Sequence, residues 1–249
     1  MPETNDLTRN LLIPNLQNVR DLGGLPTRDG HLTRWRSLVR ADDLHHLTPA
    51  GLQALHDHGV ETVLDLRWAE ERARFPSGYQ PGANGRRLRH VSLLGEDPAA
   101  WTERSRNAPW EQWNRAVLDH AQPEMAAALR VVAEAPAGPL LFHCVAGKDR
   151  TGLIAALLLA LAEVEPGAIA ADYALSAENL RASYLAGQPE EKWPEIIEGL
   201  SCPPERIHAA LAHVDERYGG PAEYARAIGL SEPETRRLRA RLRAEDGGP

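Results

Sequence analysis

Cys144 and Arg150 enclose five residues, Val145-Ala146-Gly147-Lys148-Asp149, and Thr151-Gly152 follow at once. A loop of that size can wrap a tetrahedral oxyanion with main-chain N–H groups from Val145 to Arg150, and Gly147 lets the chain turn without a Cβ in the way. Arg150 offers a planar fork that grips two phosphate oxygens at once, which a lysine cannot do. The same positive surroundings favour a thiolate at Cys144, the form that attacks phosphorus. A lone cysteine before an apolar helix would be core filler; the spacing, the glycine, the arginine and the threonine together point to a nucleophile. Thr151 is expected to hydrogen-bond the Cys144 sulfur and ease its departure, or only to serve the first helical turn. His143 is read as an organiser of the loop.

The flanking sequence supplies what must hold such a loop. Pro139-Leu140-Leu141-Phe142 reads as a short buried strand, and Leu153 to Ala162, uninterrupted and rich in helix formers, reads as a buried helix. The loop then opens a helix, where unpaired N–H groups and the aligned peptide dipoles favour an anion.

His143-Cys144-Val145-Ala146-Gly147-Lys148-Asp149-Arg150-Thr151-Gly152 resembles the signature loop of the cysteine-dependent protein tyrosine phosphatases, and its AGKDRTG portion is similar to the atypical bacterial group typified by mycobacterial tyrosine phosphatase B. Further resemblances follow in order: Asn18-Val19-Arg20-Asp21-Leu22-Gly23-Gly24, then Val63-Leu64-Asp65-Leu66-Arg67, then Tyr218 to Leu242. The resemblance implies an α/β, tyrosine phosphatase-like fold with a mostly parallel central sheet flanked by helices and a helical C-terminal part. It also implies hydrolysis of phosphotyrosine, with phosphoserine, phosphothreonine and phosphoinositides as further substrates, through a phosphocysteine and with neither metal nor organic cofactor. Cys144 would be the nucleophile, and Val145, Ala146, Gly147 and Arg150 would hold the phosphate.

Many tyrosine phosphatases take their acid from a Trp-Pro-Asp tripeptide, which this sequence lacks. The resemblance assigns that role to Asp149, against the plain reading that an aspartate just before a helix is a cap. Asp97, in an irregular stretch, is the alternative acid, able to arrive on a moving loop. Lys148 resembles the lysine with which related phosphatases accept phosphoinositides; otherwise it is an exposed lysine. Arg67, at the C-terminal end of a buried parallel strand where ligands gather in α/β sheets, either borders the phosphate or pairs with Asp65. Arg20 and Asp21 either contact substrate or, as buried charges need partners, form a buried pair fixing the N-terminal segment near the site.

The remaining sequence narrows the alternatives. The chain has 249 residues, 43% of them hydrophobic, with no linker, so one domain over 1–249 is expected. A net charge of −7 argues against a nucleic-acid partner. No 20-residue apolar run and no basic-apolar leader is present, so a soluble, cytoplasmic protein without integral membrane contact is expected, export without a cleavable signal remaining open. Two cysteines give no disulfide framework. Thr48-Pro49 and Gly59 bound a helix, and Ser231 to Glu234 is a capping box opening a last, arginine-rich helix. Residues 69–113 are read as largely irregular, with Leu88 to Leu94 alternating like a strand; the region is a candidate lid carrying Trp101, Trp110 and Trp113, or those tryptophans simply pack. A non-catalytic phosphate-binding module, a sulfurtransferase and an arsenate reductase are the other uses of such a loop; the reactive thiol with its adjacent acid, the closing arginine, and the shortage of further thiols speak against them in turn.

Overall fold

The computed structural model describes residues 8–82, 85–95, 97, 99–101 and 110–243, with the backbone alone at 110 and 111. Its centre is a five-stranded sheet, β1 (Arg20–Asp21), β2 (Leu38–Ala41), β3 (Thr62–Asp65), β4 (Arg87–His90) and β5 (Leu140–His143), in spatial order β1-β2-β5-β3-β4. Only β1 is antiparallel to its neighbour. Strand β5 sits in the middle, with Leu141 level with Val39 on one side and Val63 on the other.

Alternation along the strands sorts the apolar residues onto two faces, since successive side chains point to opposite sides. Leu38, Leu64, Leu140 and Phe142 join the larger core with the helices that follow; Val39, Val63 and Leu141 join a second cluster with Leu16, Leu55 and Tyr79. Both faces are therefore covered, which explains the unbroken apolar runs in these strands.

Helix α1 (Pro49–His58) begins and ends as expected: Thr48 Oγ1 accepts from Gly51 N at 3.1 Å, and Gly59 stops it at φ 95°. Helices α2 (Ala69–Arg74), α3 (Trp110–His120) and α4 (Gln122–Glu134) follow. Helix α5 (Asp149–Leu161) is apolar all round and buried, with α6 (Pro166–Leu185), α7 (Trp193–Leu200), α8 (Pro204–Tyr218), α9 (Pro221–Ala227) and α10 (Glu232–Leu242) making up the helical C-terminal part. The capping box of α10 is present, Ser231 and Glu234 bonding reciprocally. Its arginines are less idle than a solvated face: Arg241 donates to the carbonyls of Val132, Ala135 and Gly138 at the end of α4, and Arg239 pairs with Glu163.

The irregular reading of 69–113 is corrected at α2, which lies within it, while the strand expected over 88–94 is present as β4, starting one residue earlier and ending at His90. Its polarity misled there, for α2 packs no fully buried residue. Trp101 is buried in the core and Trp113 packs against it, so neither lines an entrance. Residues 102–109 and the Trp110 side chain lie outside the described residues. No helix among the described residues is long and apolar enough to cross a membrane.

Candidate active site

Strand β5 ends at His143 and α5 begins at Asp149, so Cys144 to Lys148 form the loop between them, with Cys144 buried at its base. Outside donors hold the loop carbonyls. His143 Nδ1 lies 3.0 Å from Cys144 O, Asp43 N donates to Val145 O at 2.8 Å, Asn18 Nδ2 to Ala146 O at 2.9 Å, and Arg40 Nη2 to Gly147 O at 2.7 Å. In a trans peptide the next N–H points opposite to the carbonyl, so four outward carbonyls turn four N–H groups inward. Among the described residues, the N–H groups of Val145, Ala146 and Gly147 donate to no protein acceptor. Gly147 is obligatory here. Its φ is +64°, and a Cβ would lie 2.3 Å from Ala41 O.

Arg150, on the first turn of α5, presents its fork to Glu71 of α2, with Nη1 and Nη2 donating to Oε2 and Oε1 at 2.7 and 2.8 Å, and it lies over the Trp68 ring at 5.3 Å. Glu71 Oε2 also accepts from Trp68 N at 2.8 Å, so the carboxylate is itself fixed. Burial opposes the charge of both partners, but their mutual hydrogen bonds outweigh it. Arg150 is held above its ordinary range, with the Cys144 charge helping, and Glu71 below its own. Two of Arg150's five N–H groups are taken; the rest remain for an oxyanion.

Asp149 makes no capping bond, and Lys148 occupies the cap position. The Asp149 carboxylate accepts from Tyr173 Oη at 3.3 Å and lies 3.7 Å from Lys148 Nζ. The Tyr173 ring packs so closely on this turn that a Cβ at Gly152 would meet it at 2.8 Å. Thr151 Oγ1 is fully buried and has no hydrogen-bond partner among the described residues; the expected bond to the Cys144 sulfur is not formed.

Three other residues stand where the sequence reading did not settle them. Lys148 is buried, not exposed, and its Nζ donates to Gly199 O at 2.6 Å. Arg67 is a brace: it donates to both oxygens of Asp65, to Asp43 Oδ2 at 2.7 Å and to Phe75 O at 2.8 Å. Asp65 is accordingly held near 2, since Arg67 and His143 overcome its burial. Asp97 is exposed and accepts from Ala100 N at 3.1 Å.

Arg20 and Asp21 are both buried, but they do not pair with each other, because adjacent strand residues face opposite ways. Asp21 accepts from Gly23 N and Arg36 N. Arg20 donates to Asn18 Oδ1 at 2.5 Å and to Asp172 Oδ1 at 3.0 Å. Asp172 also binds Arg9 and, at 2.6 Å, Arg40. Burial opposes ionisation of Asp172, but the surrounding arginines keep it charged far below the usual carboxylate range. The N-terminal element thus acts on the loop through Asn18, with Arg20, Arg40 and Asp172 behind it. Sequence reasoning missed Arg40, Glu71 and Asp172 in these roles, since no local pattern marks them.

Comparisons with known proteins agree with this geometry. The profile described as the Tyrosine phosphatase family matches residues 11–244. A tyrosine-protein phosphatase of Nostoc commune is 34% identical over 83% of this chain and 74% of its own length. The triple specificity protein phosphatase PtpB of Mycobacterium tuberculosis is 30% identical over 92% of this chain and 98% of its own. With a cysteine at the base of an inward-facing amide loop, an anchored arginine at its rim, and these matches spanning nearly the whole sequence, the chain is a phosphatase that belongs to the tyrosine phosphatase family.

Proposed function

We propose that the chain hydrolyses phosphate monoesters, phosphotyrosine first among them, without a metal and through a phosphocysteine at Cys144. The observation that carries this reading is the loop itself: amides turned inward around a buried cysteine, with the Arg150 fork anchored by Glu71 beside them. Three equatorial phosphate oxygens would take the amides and the free N–H groups of Arg150, leaving phosphorus in line with the sulfur. The Cys144 thiolate attacks phosphorus, the ester P–O bond breaks, and Asp149 gives its proton to the leaving oxygen. Water then attacks the phosphocysteine and gives its proton to the Asp149 carboxylate; the P–S bond breaks, the thiolate returns and inorganic phosphate departs. Thr151, whose hydroxyl has no partner among the described residues, would donate to the departing sulfur.

Phosphoserine and phosphothreonine peptides are proposed as slower substrates, because their alkoxide leaving groups lean harder on the acid. Phosphoinositides enter through the resemblance of Lys148 alone, and its ammonium is turned to Gly199 O. The test is p-nitrophenyl phosphate turnover with EDTA present, for the wild type, Cys144→Ser and Asp149→Asn, followed by phosphopeptide and phosphoinositide panels. An active wild type, an inert serine variant, and an Asp149→Asn variant slowed roughly 10²- to 10⁴-fold on poor leaving groups support the reading. A Cys144→Ser variant that retains turnover removes the phosphocysteine.

A further inference from the structure

A cavity of about 570 Å³ opens beside Val145 at the edge of the loop. Its walls come from the segment after β2, the end of α2, and α6. Two of the few exposed large apolar side chains among the described residues, Phe75 (39% exposed) and Tyr184 (41%), both line it. Among the described residues no lysine or arginine lines it, whereas Asp42 and Asp43 do.

The two carboxylates are not equivalent. Asp43 is countered by Arg67 at 2.7 Å. Asp42 accepts from two main-chain groups, Gln17 N and Asn18 N, each at 3.0 Å, and no lysine or arginine among the described residues pairs with it. The cavity's other titratable groups are His45, His46 and Tyr184; His45 lies 3.4 Å from Asp43 and against the Phe75 ring at 5.0 Å. A ligand reaching out of the phosphate loop therefore meets two aromatic rings and an uncountered carboxylate. A second phosphate would find no cation there among the described residues, because the Lys148 ammonium is turned to Gly199 O and the Arg150 fork to Glu71.

We infer that this cavity is a specificity subsite for a phosphotyrosine peptide bearing an arginine or lysine next to the phosphotyrosine, with the cationic side chain on Asp42 and the phosphotyrosyl ring against Phe75 and Tyr184. The inference rests on the phosphatase reading of the loop and adds to it a substrate class: cationic peptides, against acidic peptides and polyphosphorylated headgroups. Opposite charge near a partly solvated carboxylate gives a moderate effect, so an arginine peptide should be preferred over its glutamate counterpart about tenfold.

The experiment measures binding, so that it does not depend on turnover. Phosphotyrosine peptides identical except for Arg, Ala or Glu beside the phosphotyrosine are titrated calorimetrically into Cys144→Ser protein at neutral pH, in low and high salt. A soluble inositol bisphosphate is titrated in parallel. Expected are affinities in the order Arg, Ala, Glu, with the Arg-to-Glu ratio near tenfold, shrinking with salt, and reduced to about twofold by adding Asp42→Asn. Because Asp42 also holds the Asn18 main chain, Ser183→Lys provides a second variant: it sets a cation on the same wall from the outer face of α6 and should lower the ratio while improving inositol bisphosphate binding. A ratio at or below one, a ratio insensitive to both variants, or inositol bisphosphate bound as tightly as the arginine peptide by the parent would overturn the inference. Failure of the phosphatase reading would show differently, as an inert wild type on p-nitrophenyl phosphate.

Discussion

Glu71 touches no phosphate in the proposed mechanism, yet its removal should slow the reaction, because it fixes the group that does. Its carboxylate accepts from Arg150 Nη1 and Nη2 at 2.7 and 2.8 Å, and Arg150 is mostly buried at the end of that pair. Charge-assisted bonds of this kind are each worth about 1.5–3 kcal/mol. In Glu71→Ala the guanidinium keeps its charge but loses its fixed plane. Water or the substrate restores part of what was lost, leaving a deficit of about 2–3 kcal/mol in transition-state binding. At 1.36 kcal/mol per tenfold, that is about a 30- to 150-fold fall in kcat/KM. Glu71→Gln keeps one acceptor and should fall roughly tenfold. The assay is p-nitrophenyl phosphate kinetics with vanadate inhibition and a thermal melt for each variant. Dependence of rate on leaving group should not change, since Asp149 is intact, and vanadate affinity should fall in parallel with kcat/KM. A Glu71→Ala enzyme within about threefold of wild type at an unchanged melting temperature would refute this account of how Arg150 is oriented.

Further consequences follow from the buried charges and from Gly147. Asp172→Asn leaves Arg20 and Arg40 without their countercharge and should cost about 3–5 kcal/mol, seen as a melting temperature lower by roughly 6–20 °C together with reduced turnover, since Arg40 holds Gly147 O. Asp65 ionises near 2 in the folded protein against an ordinary 3.8, and Asp172 is shifted the same way, so both contribute stability that is complete above about pH 4 and lost as pH falls toward 2. Urea midpoints should therefore drop steeply below pH about 4, and Asp65→Asn should flatten part of that slope. Gly147→Ala sets a Cβ against the Ala41 carbonyl at a φ of +64° and should reduce kcat by roughly 100-fold or more while far-ultraviolet circular dichroism stays unchanged.

What the sequence disclosed is what is local in it. The strand before Cys144, the helix after it, the caps at Thr48, Gly59 and Ser231, and the loop between Cys144 and Arg150 are set by neighbours in the chain and could be read from spacing and residue type. What it concealed is held by contacts far apart in sequence. Arg150 and Glu71 are 79 residues apart, and Arg40 and Asp172 are 132 apart. No periodicity marks such pairs. The misjudged Arg20–Asp21 pair shows the same limit: adjacency in sequence suggested partners, but the pleat sends the two side chains to opposite sides, one to Asp172 and the other to main-chain N–H groups. Lys148 reads from its place in the loop as a substrate contact or an exposed lysine, and the Gly199 carbonyl that receives it lies 51 residues downstream.

The most direct test of the central claim is to stop turnover of p-nitrophenyl phosphate, whose leaving group needs no acid, within milliseconds and weigh the peptide that contains Cys144. A phosphoryl group on that peptide, labile in the manner of a thiophosphate ester, accumulating in Asp149→Asn and absent from Cys144→Ser, is the result this account predicts. Turnover with no phosphoryl group on Cys144 at any time point, or its appearance on a different residue, would contradict it.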